Sequence, residues 1–185
     1  MTILHPSSGT AIFRPNEVRK LIHAIPKNEN RERFEALLYS GCRYTELQEV
    51  HGKMDRIDGN SLKVKNTKAL SKKMSKYRYV MLNNPGIRAI EYYIRSPKPL
   101  PNYVSWYDNL KRWCEKANIE PDGIGIKSTR KTWESYLVTI YPQLTERIFL
   151  SQGHTDLIAL KHYLMIPFSK EDKEGMLYFV EGWNE

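Results

Sequence analysis

The chain has 185 residues, 41% of them hydrophobic, enough for the core of a single domain. Its formal net charge of +8 and pI near 9.4 favour a polyanionic partner. No apolar run approaches the roughly 20 residues that cross a bilayer, residues 1–10 lack the apolar core of a secretory signal, and Cys42 and Cys114 have neither disulfide nor metal-ligand spacing. These features exclude membrane and disulfide-scaffold classes and lead us to expect a reduced, intracellular protein needing no metal or other cofactor.

In chain order, residues 1–13 read as a flexible tail or linker remnant. Pro15 opens a helix whose apolar face is Val18, Leu21, Ile22 and Ile25, stopped by Pro26. A second helix covers 28–40 and ends at Gly41. Thr45 is placed to cap the short turn 46–50. Beyond it, Ile57, Leu62, Val64, Tyr77, Tyr79 and Met81 alternate with polar residues, and Asp58-Gly59-Asn60 is a turn signal. This pattern predicts a three-stranded antiparallel sheet at about 53–58, 61–66 and 76–82. Helices follow at about 87–95, 102–117, 128–140, 144–150 and 155–164. After Pro167 an apolar tail, with Met176, Leu177, Phe179, Val180 and Trp183, is expected to dock on its own subunit or a neighbouring one. The fold class is α+β, mostly helical with one small sheet, and the domain spans 14–167 with a C-terminal tail at 168–185.

Charge is unevenly placed. Residues 59–90 contain no acidic side chain but carry Lys63, Lys65, Lys68, Lys72, Lys73, Lys76, Arg78 and Arg88. A lysine-rich loop is ordinarily just solvated. Inside a hairpin, Lys65, Lys72, Lys73, Lys76 and Arg78 become candidates for phosphate contact.

Four further signals stand in order along the chain. Arg43 lies in Gly41-Cys42-Arg43-Tyr44-Thr45-Glu46-Leu47, and Lys127 and Arg130 lie one helical turn apart. His154 follows Gly153, and Tyr163 comes nine residues after His154. Singly, each is ordinary: a surface ion pair, a K-x-x-R surface pattern, a capping histidine, a half-buried aromatic. Together they supply what metal-free phosphodiester transfer needs. Guanidiniums pair their N–H donors with the non-bridging oxygens, and a tyrosine hydroxyl can act as nucleophile.

The set resembles the catalytic domain of the tyrosine recombinases, the phage-type integrases, over about residues 15–165. In that family the first arginine lies in G-x-R-x-x-E-L, the second in H/K-x-x-R, and a G-H segment precedes the tyrosine by nine. The resemblance implies that Arg43, Arg130 and His154 hold the scissile phosphate of double-stranded DNA. Tyr163 then attacks to give a 3′-phosphotyrosyl link, and a hairpin lysine, Lys68 with Lys72 as the alternative, protonates the leaving 5′ oxygen. It implies a homo-oligomer, a tetramer on DNA, working without metal or ATP. Lys127 stands where histidine is common, as in archaeal plasmid and virus integrases, and with an ordinary lysine pKa it is a poor proton acceptor. The short stretch before Arg14 suggests a catalytic-domain fragment or a minimal member. The alternatives are a type IB topoisomerase-like enzyme and a non-catalytic DNA-binding protein of the same fold.

Overall fold

The computed structural model describes residues 2–66, 76–154, 163 and 165–183. Among these are eight α-helices: α1 (Pro15–Ala24), α2 (Asn28–Ser40), α3 (Tyr44–Val50), α4 (Asn84–Arg95), α5 (Tyr103–Lys116), α6 (Ser128–Ile140), α7 (Thr145–Gln152) and α8 (Lys170–Val180). A two-stranded hairpin, β1 (Ile3–Leu4) with β2 (Ala11–Ile12), precedes α1. The antiparallel sheet β3 (Ile57–Asp58), β4 (Ser61–Lys65), β5 (Tyr77–Met81) separates α3 from α4.

Helix α6 is the centre of the molecule. Along it only Lys131, Thr139 and Ile140 escape full burial, and it packs against α2, α7, α8 and β2. Trp133, Tyr136 and Leu137, all at zero exposure, form the middle of the core. Helices α4, α5 and α8 start at side-chain caps. Asn83 Oδ1 accepts from Gly86 N–H and Asn102 Oδ1 from Ser105 N–H, while Ser169 and Asp172 exchange bonds in a capping box.

Several expectations change. The presumed flexible tail is built in: Ala11, Ile12 and Phe13 are fully buried, Phe13 N–H donates to Thr132 Oγ1 at 3.0 Å and Tyr136 OH donates to Phe13 O at 2.8 Å. Three buried apolar side chains outweigh the polar composition around them. The first sheet strand shrinks to Ile57–Asp58 because Met54–Arg56 winds into a 3-10 turn. Helix α3 begins at Tyr44, and Glu46, not Thr45, closes its first turn by accepting from Arg43 N–H at 2.8 Å. Helix α4 starts three residues early because Asn83 caps it and Pro85 suits a first turn.

The face of β5 is also reversed. Leu62 and Val64 point inward as expected, but they pair across the ladder with Val80 and Arg78, so Tyr79 is left 52% exposed. The C-terminal segment folds onto its own chain. Asn83 Nδ2 donates to Phe179 O, Trp183 Nε1 donates to Met81 O at 3.1 Å, and the Trp183 ring stacks on Tyr141. The helix expected at 155–164 lies outside the described residues except for Tyr163, which is helical. None of the described helices is long and apolar enough to cross a membrane.

Candidate active site

Two helices end at the same place. Gly41 closes α2 and Gly153 closes α7, both with left-handed backbone (φ 57° and 66°) that favours glycine. Space is as restrictive as conformation. A Cβ on Gly41 would lie 2.4 Å from Gln152 Oε1, and one on Gly153 would lie 2.4 Å from Arg78 Nε. The carbonyls at these ends have no partner inside their own helices, and the helix dipole makes them cation sites.

Arginines satisfy them. Arg130, in the first turn of α6, donates from one terminal nitrogen to Gly41 O at 2.8 Å and from the other to Gln152 O at 2.6 Å. Arg43 donates to Gly153 O at 2.9 Å. Arg78 donates to Ser151 O at 2.6 Å. The helix ends are thereby stapled to α6 and β5. Each terminal nitrogen carries two N–H groups, so one remains on each Arg43 nitrogen and on the Arg130 nitrogen that reaches Gly41 O, while the other Arg130 nitrogen also lies 3.4 Å from His154 Nε2.

Two buried carboxylates complete the frame. Glu46, at zero exposure, holds Arg43 at 2.5 Å and Arg78 at 2.7 Å. Glu134, also at zero exposure, takes Arg130 Nε at 2.9 Å and His154 Nε2 at 2.7 Å on one oxygen. Because a carboxylate only accepts, His154 donates from Nε2. Glu134's other oxygen accepts from the Tyr163 hydroxyl, and Lys131 Nζ donates to the same hydroxyl at 2.8 Å while lying 5.0 Å from the ring centre. His5, from the N-terminal hairpin, meets the Tyr163 ring edge-on at 4.9 Å.

The charges shift accordingly. Burial alone would raise the Glu134 carboxyl, but the Arg130 charge and the bonds from His154 and Tyr163 outweigh it and hold it at about 2. Burial, then the Glu134 charge, pushes the Tyr163 hydroxyl far above its ordinary value. Burial lowers the Lys131 ammonium, with Glu134 opposing.

An open cleft of about 350 Å3 lies over this frame, lined by Arg43, Lys127, Arg130, Lys131, Glu134 and His154 together with Tyr103 and Thr45. Its walls offer cationic donors in a half-enclosed space, the arrangement that binds a phosphate. Among the described residues, no group of histidine, cysteine, aspartate and glutamate side chains is arranged to hold a metal ion.

The structure therefore brings Arg43, Lys127, Arg130 and His154 to one cleft, with Tyr163 behind Glu134. Lys65 and Lys76 are exposed at the end of the β4–β5 ladder where the connecting segment leaves and returns. Lys68, Lys72 and Lys73 lie outside the described residues. Arg78, expected on a nucleic-acid surface, is 9% exposed and turned inward because Glu46 and Ser151 O satisfy it there. Lys131 and Glu134 are additions to the expected set. Their signal was present in Arg130-Lys131-Thr132-Trp133-Glu134, where Arg130 and Glu134 stand four apart on one helical face.

No sequence-family model and no curated protein sequence matches the chain. Solved structures do. The XerA recombinase superposes with a TM-score of 0.65 at 15% identity, over 92% of this chain and 65% of that one. The XerH site-specific recombinase, bound to its palindromic difH substrate in a post-cleavage complex, gives 0.60 at 18% identity, over 99% and 57%. The Tn1549 transposon integrase, in complex with transposon right-end DNA, gives 0.66 at 16% identity, over 88% and 63%. The chain spans less than two thirds of the length of each. It has the tyrosine recombinase catalytic-domain fold: mostly helical, with a small three-stranded antiparallel sheet.

Proposed function

We propose that this chain is the catalytic domain of a site-specific DNA recombinase of the tyrosine type, which cuts and rejoins strands through a 3′-phosphotyrosyl intermediate. The observation that carries the reading is the convergence of Arg43, Arg130 and His154 on one cleft, with the Tyr163 hydroxyl one carboxylate away. Arg43 and Arg130 present their outward N–H groups to the non-bridging oxygens, and His154 and Lys127 add donors at the rim. Charge building on the phosphorane is stabilised by donors already held in place by helix-end carbonyls, so little reorganisation is required.

Tyr163 attacks phosphorus and the 5′ oxygen leaves, taking a proton from a hairpin lysine for which Lys68 remains our choice. A 5′-hydroxyl from a partner duplex reverses the step. The ester energy is conserved in the phosphotyrosine, so neither ATP nor metal enters. Lys65, Lys76, Lys72 and Lys73 are assigned to phosphate contacts flanking the cleavage point. The active assembly is a homo-tetramer on DNA, and the Lys127 form of the second motif fits integrases of archaeal viruses and plasmids.

The test is direct. The protein is mixed with EDTA and a pool of randomised, nicked, labelled duplexes. The products are denatured, and covalent protein–DNA adducts are digested to locate the modified peptide. A phosphonucleotide on Tyr163, absent in Tyr163→Phe, is expected. A wild-type protein that forms no adduct refutes the reading, and so does an adduct on another residue.

A further inference from the structure

In this resting arrangement the nucleophile is tied to a carboxylate and an ammonium that the sequence reading left without a role. Tyr163 is 1% exposed, and its oxygen touches two ionisable groups among the described residues, Glu134 and Lys131. Lys131 carries protons already. Arg130 cannot accept one, and His154 turns its Nε2–H toward the other Glu134 oxygen. His5 meets the ring edge rather than the hydroxyl. Among the described residues, Glu134 is therefore the one acceptor in contact with the proton that Tyr163 must lose.

A fully buried carboxylate inside a helix costs several kcal/mol unless it is thoroughly partnered. Here one oxygen is spent on Arg130 and His154 and the other is aimed at the nucleophile. Resting on the recombinase reading, we propose that Glu134 and Lys131 are further catalytic residues: Glu134 takes the Tyr163 proton, and Lys131 stabilises the phenolic oxygen as negative charge develops.

The step balances. The bond between Tyr163 Oη and phosphorus forms as the Oη–H proton passes to Glu134 Oε2. The bond from phosphorus to the 5′ oxygen breaks, and that oxygen is protonated from the hairpin. On rejoining, Glu134 returns the proton to the departing tyrosine. Lys131 keeps its own proton throughout, donating a hydrogen bond to the oxygen that becomes an ester.

Substrate itself prepares the acceptor. Glu134 is a weak base at rest because Arg130 and His154 hold its negative charge. A phosphate entering the cleft binds those same two groups and cancels much of their field, and the phosphorane carries still more negative charge. Both raise the proton affinity of Glu134, so the base becomes competent when a phosphate is in place. This also removes the need for Lys127 to accept a proton.

The experiment measures single-turnover adduct formation by the wild-type chain, Glu134→Gln and Lys131→Met on the nicked duplex pool. It is repeated with duplexes whose bridging 5′ oxygens are replaced by sulfur. A thiolate leaves without protonation, whereas the tyrosine must still lose its proton. Glu134→Gln preserves size and one acceptor, and we expect it to cleave roughly 100- to 10,000-fold more slowly with unchanged affinity for the pool. The defect should persist on the sulfur substrate. Lys131→Met should cleave about 100-fold more slowly.

Unimpaired cleavage by Glu134→Gln overturns the proposal, as does a defect that sulfur repairs, which would place Glu134 on the leaving-group side. If Glu134→Gln does not fold, Lys131→Met carries the test, and full activity there overturns it. Adducts from the wild-type chain with unimpaired variants refute this inference alone. No wild-type adduct refutes the recombinase reading with it.

Discussion

Replacing Glu46 by alanine tests the frame behind the cleft. Its carboxylate is fully buried and accepts three bonds, from Arg43 N–H, from the Arg43 guanidinium and from Arg78. The two arginines respond differently to its loss. The Arg43 side chain is 20% exposed and can turn toward cleft water, whereas the Arg78 side chain is 8% exposed and, among the described residues, keeps only Ser151 O as acceptor. The dominant cost is thus an uncompensated buried guanidinium. Removing one partner of such a pair costs about 3–5 kcal/mol, a large part of a typical stability of about 5–15 kcal/mol. At about 2–4 °C per kcal/mol for a chain of this size, the melting point should fall by about 6–20 °C.

Urea denaturation provides the assay, with a lower midpoint and an unchanged slope expected. Adding Arg78→Met to Glu46→Ala removes the stranded charge, so the double variant should be more stable than the sum of the single losses predicts, by about 0.5–3 kcal/mol. A loss below about 1 kcal/mol for Glu46→Ala, or an additive cycle, would refute the argument that Glu46 neutralises Arg78.

Trp183→Ala empties a fully buried site and removes the bond to Met81 O. It should cost about 3–5 kcal/mol in dilute protein by urea denaturation, and a negligible loss would mean that the C-terminal segment does not dock on its own chain. Glu134 is held at about 2 against an ordinary 4.5, so its contribution is present above about 4.5 and is lost as pH falls toward 2. Urea midpoints at about pH 6 and about pH 3 should therefore converge more closely in Glu134→Gln than in the wild type, and equal pH dependence would contradict the assignment. Arg43→Ala should lower the slope of log affinity for duplex DNA against log salt concentration by about 0.9 in fluorescence anisotropy titrations. An unchanged slope would remove Arg43 from the phosphate.

Much of the site is written locally. Gly41 is legible as the stop of α2 because the glycine requirement at a helix end is a property of a few consecutive residues, whereas Arg43, Arg130 and His154 are singled out by their resemblance to the recombinase motifs. Helix α2 likewise buries the expected Phe34, Leu37 and Leu38. What only tertiary structure decided depends on partners far apart in the chain. The strand pattern of β5 admits either face, and Arg78 turns inward because Glu46, 32 residues away, neutralises it there. Residues 11–13 look like tail in isolation and are core because α6 covers them. Lys131 and Glu134 resemble an ordinary solvated pair on a helix until α6 is buried. Burial forces the carboxylate to find partners within reach, and the fold places Arg130, His154 and Tyr163 there. Periodicity and capping are local and survive in the sequence, whereas the pairing of buried charges is set by which surfaces meet.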